Sequence, residues 1–168
     1  LDRPMHLAVS AGGLVYVPEF GRDRIQAFNS TGTSIRAFGE AGDAPGQFDA
    51  PASLSFDSKG RLLIADFYHH RVQIFDTAGK FLSQIGSEGH ADGQLYYPTD
   101  AVAGDSGHIF VADAYNHRIQ KFDAQGNFLT SWGKKGTAPG EFDVVNALAI
   151  DDRKRLYAAD FYNHRIQV

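Results

Sequence analysis

Four times along this chain an acidic residue is followed five positions later by arginine and two further on by glutamine, and the interval between copies is always 47 residues. Glu19, Asp66, Asp113 and Asp160 hold the acidic place, Arg24, Arg71, Arg118 and Arg165 the basic one, and Gln26, Gln73, Gln120 and Gln167 the amide. Pro4, Pro51 and Pro98 keep the same period until Val145 interrupts it. Repetition without insertion or deletion means that one supersecondary unit has been copied, and that each copy buries its apolar face on its neighbours.

The period inside each unit is two, which is the signature of a half-buried strand. In the second copy strands are expected over 52–57 (ASLSFD), 61–66 (RLLIAD), 71–76 (RVQIFD) and 80–86 (KFLSQIG). Between them, segments 57–60, 76–79 and 123–126 open on Asp and close on Gly. The carboxylate caps a type I turn, and glycine takes the position where φ becomes positive. The fold class is therefore all-β: antiparallel four-stranded meanders of about 47 residues arranged around an axis as the blades of a β-propeller.

Residues carry a family likeness as well. Across the copies the string runs Pro-x-x-Leu/Ala, then Leu/Ile-x-Ile/Val-Ala-Asp-x-Tyr-Asn-His-Arg-Ile-Gln-x-Phe-Asp, then Gly, Phe-Leu and Gly. It resembles the NHL repeat, and the resemblance implies a propeller, most often of six blades. Residues 1–168 are expected to form one partial propeller with repeats 1–48, 49–95, 96–142 and 143–168, about three and a half blades of a six-bladed or larger ring. The last repeat lacks a fourth strand. The bare edge over 163–168 is a template for pairing, so the sequence reads as a natural or engineered piece that closes its ring by self-association.

Composition narrows the function classes. With 168 residues, 43% of them hydrophobic, the chain can bury one sizeable core. No apolar run reaches the roughly 18 residues of a membrane span. A net charge of −4 disfavours nucleic acid as partner, and Lys134 with Lys135 is too small a basic patch to reverse that. There is no cysteine, which suits oxidising and reducing compartments alike and leaves localisation open.

The Tyr-His-Arg turns look like chemistry, but a side chain needed once for catalysis does not recur at every azimuth of a ring. Asp66, Asp113, Asp160, Arg24, Arg71, Arg118 and Arg165 are assigned a structural role: the carboxylates accept N–H groups across the tight turn, and the guanidinium groups pair with carboxylate or carbonyls. In the first copy Glu19 and "GRD" depart from the pattern, so that turn is expected to be looser. The glycine series at 39, 42 and 46 precedes a strand rather than a helix, which rules against a phosphate loop. "DSKG" and "DDRK" offer too few oxygens for calcium. Asn29-Ser30-Thr31 is a glycosylation sequon on a turn.

Function is sought where the copies differ. Two positions into the first strands stand His6, Ser53, Asp100 and Ala147, preceded by Met5, Ala52, Thr99 and Asn146. His6, Asp100 and Asn146 are candidates for binding a ligand at the channel mouth. His90, Tyr96, Tyr97, Lys134 and Lys135 are candidates for contact on the face carrying the inter-blade loops. No catalytic residue, metal or cofactor is assigned. The favoured reading is a non-catalytic scaffold engaging a protein or peptide through the loop face. The alternative is part of a metal-dependent lyase or lactonase-like propeller with its site at the central channel.

Overall fold

The computed structural model describes residues 1–104 and 106–168. The first sheet contains β1 (Ala8–Val9), β2 (Val15–Glu19), β3 (Arg24–Phe28) and β4 (Ser34–Phe38). The second contains β5 (Pro51–Phe56), β6 (Leu62–Asp66), β7 (Arg71–Phe75) and β8 (Phe81–Ile85). The third contains β9 (Pro98–Ala103), β10 (Ile109–Asp113), β11 (Arg118–Phe122) and β12 (Phe128–Trp132), with a single 3-10 turn over Ala114–Asn116. The fourth has three strands, β13 (Val145–Ile150), β14 (Leu156–Asp160) and β15 (Arg165–Gln167). Within each sheet every strand pairs antiparallel with the next in sequence, so each sheet is a meander. The first strands of neighbouring sheets lie against one another, as around a propeller axis.

Three hydrophobic clusters hold the sheets together, and each straddles a junction between two of them. Tyr16, Ile25 and Ala27 of the first sheet meet Leu54, Leu62 and Ile64 of the second. Leu63, Val72 and Ile74 meet Ala101, Ile109 and Val111 of the third. Ala112 and Ile119 then meet Val145, Leu148 and Ala158 of the fourth. Each fully buried Leu or Ile contributes about 1.5–3 kcal/mol relative to exposure, so cohesion resides between blades as much as within them. The glycines at 39, 86 and 133, all at positive φ, leave room for Phe48, Leu95 and Phe142; a Cβ there would collide with those rings and with the Leu95 methyl.

Two backbone devices recur with the repeat and are invisible in the residue pattern. A bulge interrupts the pairing of first and second strands, leaving Ala52, Thr99 and Asn146 as the extra residues. Just before β5, β9 and β13, Ala50, Tyr97 and Val144 take left-handed conformations, as does Arg3 in phase with them, with φ between 46° and 62°. Bulges re-aim side chains, and these lie at the start of β5, β9 and β13. Among the described residues, no helix is long and apolar enough to cross a membrane.

Candidate functional site

The repeated polar residues assemble into a closed clamp. Asp66 Oδ2 accepts hydrogen bonds from Arg71 Nε at 2.8 Å and Gln73 Nε2 at 3.0 Å, and is 3.0 Å from His69 Nδ1. Its Oδ1 accepts the N–H of Asp49 at 2.9 Å. Asp113 and Asp160 repeat this with Arg118 and Gln120, and with Arg165 and Gln167. The N–H that each carboxylate accepts comes from the entry to the first strand, 17 residues upstream, and not from across its own turn. Beyond the carboxylate, Arg71 Nη2 donates to the carbonyls of Gln47 at 2.8 Å and Ala44 at 3.2 Å, so the guanidinium grips the loop that leads into its own blade. Arg118 and Arg165 grip Gln94 and Glu141 likewise. Burial pushes the Asp160 carboxyl up, but the Asp143 N–H, Asn163, Arg165 and Gln167 outweigh it and hold the group below the ordinary aspartate range.

The residue before each arginine points the other way along the chain. His70 Nδ1 accepts the N–H of Tyr97 at 2.9 Å, and His117 Nδ1 that of Val144 at 3.1 Å, both in the next blade. Burial lowers the pKa of both imidazoles, against the opposing pull of Glu88 and Asp143 respectively. In the first copy Asp23 Oδ1 does the same work, accepting the Ala50 N–H at 2.8 Å. Arg24 pairs with Glu19 at 2.5 Å. The first turn therefore keeps the tie to the next blade and the arginine–carboxylate pair, but Gln26 Nε2 donates to Ser34 Oγ at 2.7 Å rather than to Glu19. A sequence reading misses this because Asp and His share only an acceptor at similar reach.

At the axis the non-repeating residues do converge. Met5, His6, Ala52, Ser53, Thr99, Asp100, Asn146 and Ala147 line one cavity of about 420 Å³, with Phe20, Phe67, Tyr115, Phe161 and Tyr162 at its rim. His6 and Asn146 are exposed there, whereas Asp100 is 2% exposed. Asp100 Oδ1 accepts the Ala101 N–H at 2.9 Å and Oδ2 the Leu148 N–H at 2.8 Å. Burial pushes its carboxyl up, against the Leu148 N–H, the nearby Ser53 hydroxyl and His6. Ser53 Oγ lies beside that carboxyl without reaching hydrogen-bond geometry; among the described residues it is the one buried side-chain nitrogen or oxygen left without a partner. Thr99 Oγ1 is engaged with the Val145 carbonyl at 2.9 Å. Among the described residues no three His, Cys, Asp or Glu side chains gather as a metal set.

The loop-face candidates are divided. Tyr96 and Tyr97 are half-buried: Tyr96 stacks on His70 at 5.1 Å, and Tyr97 packs edge-on to Tyr115 at 5.2 Å. Among the described residues the exposed aromatics of the turns are Tyr68, Tyr115, Phe161 and Tyr162, and Trp132 is exposed on β12. His90 Nδ1 lies 2.6 Å from Asn116 Oδ1, Lys134 pairs with Glu141 at 3.2 Å, and Lys135 is exposed.

Fold and repeat together place the chain among the β-propellers. Segments 48–75 and 95–122 match the NHL repeat family. Similar solved structures include a streptogramin B lyase, 16% identical over 97% of this chain and 50% of that one, with a TM-score of 0.75. A catalytically inactive virginiamycin B lyase from Staphylococcus aureus with quinupristin is 17% identical over 99% and 52%, at 0.74. A chain of the nidogen–laminin complex is 16% identical over 98% and 59%, at 0.73. This chain thus spans about half the length of the two lyases. No curated protein matches it. At such identities the likeness is one of fold, and the fold serves enzymes and non-catalytic proteins alike.

Proposed function

We propose that the chain is an NHL-type propeller whose ligand site is the mouth of the central channel, and that this site acts on a small molecule by acid–base chemistry, as a lyase does. The observation that carries the reading is the juxtaposition of Asp100 with Ser53: a carboxyl whose burial favours its protonated form, beside a buried hydroxyl that makes no hydrogen bond of good geometry. Perturbed acids and unpaired polar groups gather where a ligand completes them. Asp100 gives its proton to the leaving oxygen as the ligand's C–O bond breaks, exposed His6 takes the proton lost from the adjacent carbon, and Ser53 supplies a hydrogen bond beside the carboxyl. The flat rims of Phe67 and Tyr115 suit a ligand with an aromatic or ring surface. His6 and Asp100 amount to two metal donors, too few to hold a metal by themselves.

The test is an NMR titration of the labelled chain with quinupristin and a panel of small ring-bearing amides and esters, with products followed by mass spectrometry. Amide shifts are expected at Ala101, Asn146 and Leu148, and turnover is expected to vanish in Asp100→Asn. Shifts confined to Tyr68, Tyr96 and His90 would sink the channel reading. They would favour a protein-binding loop face, for which the exposed Tyr68, Tyr115, Phe161 and Tyr162 speak.

A further inference from the structure

The blade junctions differ on the face that carries the inter-blade loops. Where the second sheet meets the third, Phe67, Tyr68, Tyr97 and Tyr115 come together. The same repeat positions at the first junction are Phe20, Gly21, Ala50 and Tyr68, and at the third Ala114, Tyr115, Val144 and Tyr162. The acidic residue of the group is equally singular: Glu88 stands where the other two loops have Ala41 and Lys135. Repetition marks scaffold, and this set is not repeated. Its residues lie in the second and third sheets and the loop between them, and each of these sheets is packed between two others.

The four rings form a notch. Phe67 and Tyr97 are half-buried and pack on one another at 5.0 Å, making its floor. Tyr68 stands at 79° and 87° to these two rings and Tyr115 at 74° and 66°. Among the described residues no ring contact joins Tyr68 to Tyr115, so the two walls leave a gap over the floor, and they are 48% and 49% exposed. Tyr97 is held in place by His70, which accepts its N–H and packs edge-on to its ring at 4.3 Å. Glu88 Oε1 lies 4.0 Å from His70 Nε2, with its side chain 71% exposed. Burial raises the pKa of the Tyr97 phenol, and Tyr96, Glu88 and Tyr68 raise it further, so the charge of Glu88 is felt at the floor.

Ring faces carry negative potential, and steeply inclined rings turn their faces toward one spot from several sides. A cation placed there gains from each ring and from the carboxylate. The same belt already takes one: the Arg3 guanidinium lies 5.3 Å over Phe20, whose ring is 6.2 Å from Tyr68. A lysine ammonium is compact and strongly hydrated, whereas a trimethylammonium group brings apolar methyls along with its charge. We propose that the notch binds a small free organic cation through a quaternary ammonium head, its methyls on Phe67 and Tyr97, its flanks against Tyr68 and Tyr115, and its charge matched by Glu88. The notch opens beside the channel mouth, which Phe67 and Tyr115 also line. Asp100 and Ser53 take no part in it, so it stands or falls apart from the channel site.

An NMR titration of the labelled chain with choline, and with its neutral isostere in which carbon replaces the nitrogen, tests it. Choline is expected to shift the amides of Tyr68, Tyr97 and Tyr115 and to leave those of Ala101 and Leu148 in place. It is expected to bind about tenfold more tightly than the isostere. Tyr68→Ala and Tyr115→Ala alter exposed side chains, so both variants are expected to fold, checked by circular dichroism, and to weaken choline binding several-fold. Glu88→Gln is expected to weaken choline but not the isostere. Equal binding of the two probes would reduce the notch to a neutral apolar surface and overturn the proposal. So would shifts at Ala101 and Leu148 in place of the tyrosines, or a peptide carrying trimethyl-lysine that binds where choline does not.

Discussion

Asp113 is fully buried, and its two oxygens face Arg118, Gln120, Asn116 and the Tyr96 N–H at 2.7–3.0 Å. Removing one partner of such a set leaves the others dry and unpaired, which costs more than the pair contributes over an apolar replacement. Asp113→Ala is therefore expected to lower unfolding stability by about 3–5 kcal/mol, read from urea denaturation. A loss within about 0.5 kcal/mol, the range of an ordinary surface substitution, would contradict the clamp. The periodic Asp, Arg and Gln places were plain in the sequence because repetition marks scaffold. The direction of each bond was not, since the N–H that Asp113 accepts lies 17 residues upstream. The repeat register already set Ser53 and Asp100 at the same level of the channel mouth; what it could not show was that Asp100 is buried there and that the Ser53 hydroxyl is left without a partner.

The first-to-second strand hairpin of each blade turns through one residue at positive φ, and three of the four are glycines: Gly13, Gly60 and Gly107. The fourth is Lys154, at φ 64°. An L-residue with a Cβ pays a steric penalty there of roughly 1–2 kcal/mol, part of which returns as glycine's larger unfolded-state entropy. Lys154→Gly is accordingly expected to raise stability by about 0.5–1 kcal/mol, seen as a higher denaturation midpoint at unchanged slope. Strands and these tight turns could be placed from alternation and Asp-to-Gly spacing alone. The bulges at Ala52, Thr99 and Asn146 could not, because nothing local demands them. They follow from a left-handed residue whose N–H is captured by Asp23, His70 or His117 of the preceding blade.

Across the whole molecule the blades are joined by apolar clusters and by these captured N–H groups, and the latter titrate. His70 and His117 have lowered pKa values, so the unfolded chain takes up protons first on acidification. Their contribution is complete above the unfolded value of about 6.5 and is lost as pH falls through the lower folded value. Denaturation midpoints are expected to drop between about pH 7.5 and about pH 5, and His70→Asn, which keeps an acceptor that does not titrate, is expected to flatten that drop. A midpoint as steep in the variant as in the wild type would remove His70 from the account. The two ties at each turn also differ in when they can form as the chain leaves the ribosome. Arg71 reaches carbonyls 24 to 28 residues behind it, which are already made when it appears, whereas His70 must wait for an N–H 27 residues ahead. At roughly 5–20 residues per second that wait is on the order of 1–5 s. Each blade therefore closes its own clamp before its successor exists, and the joints are sealed one after another behind the growing end.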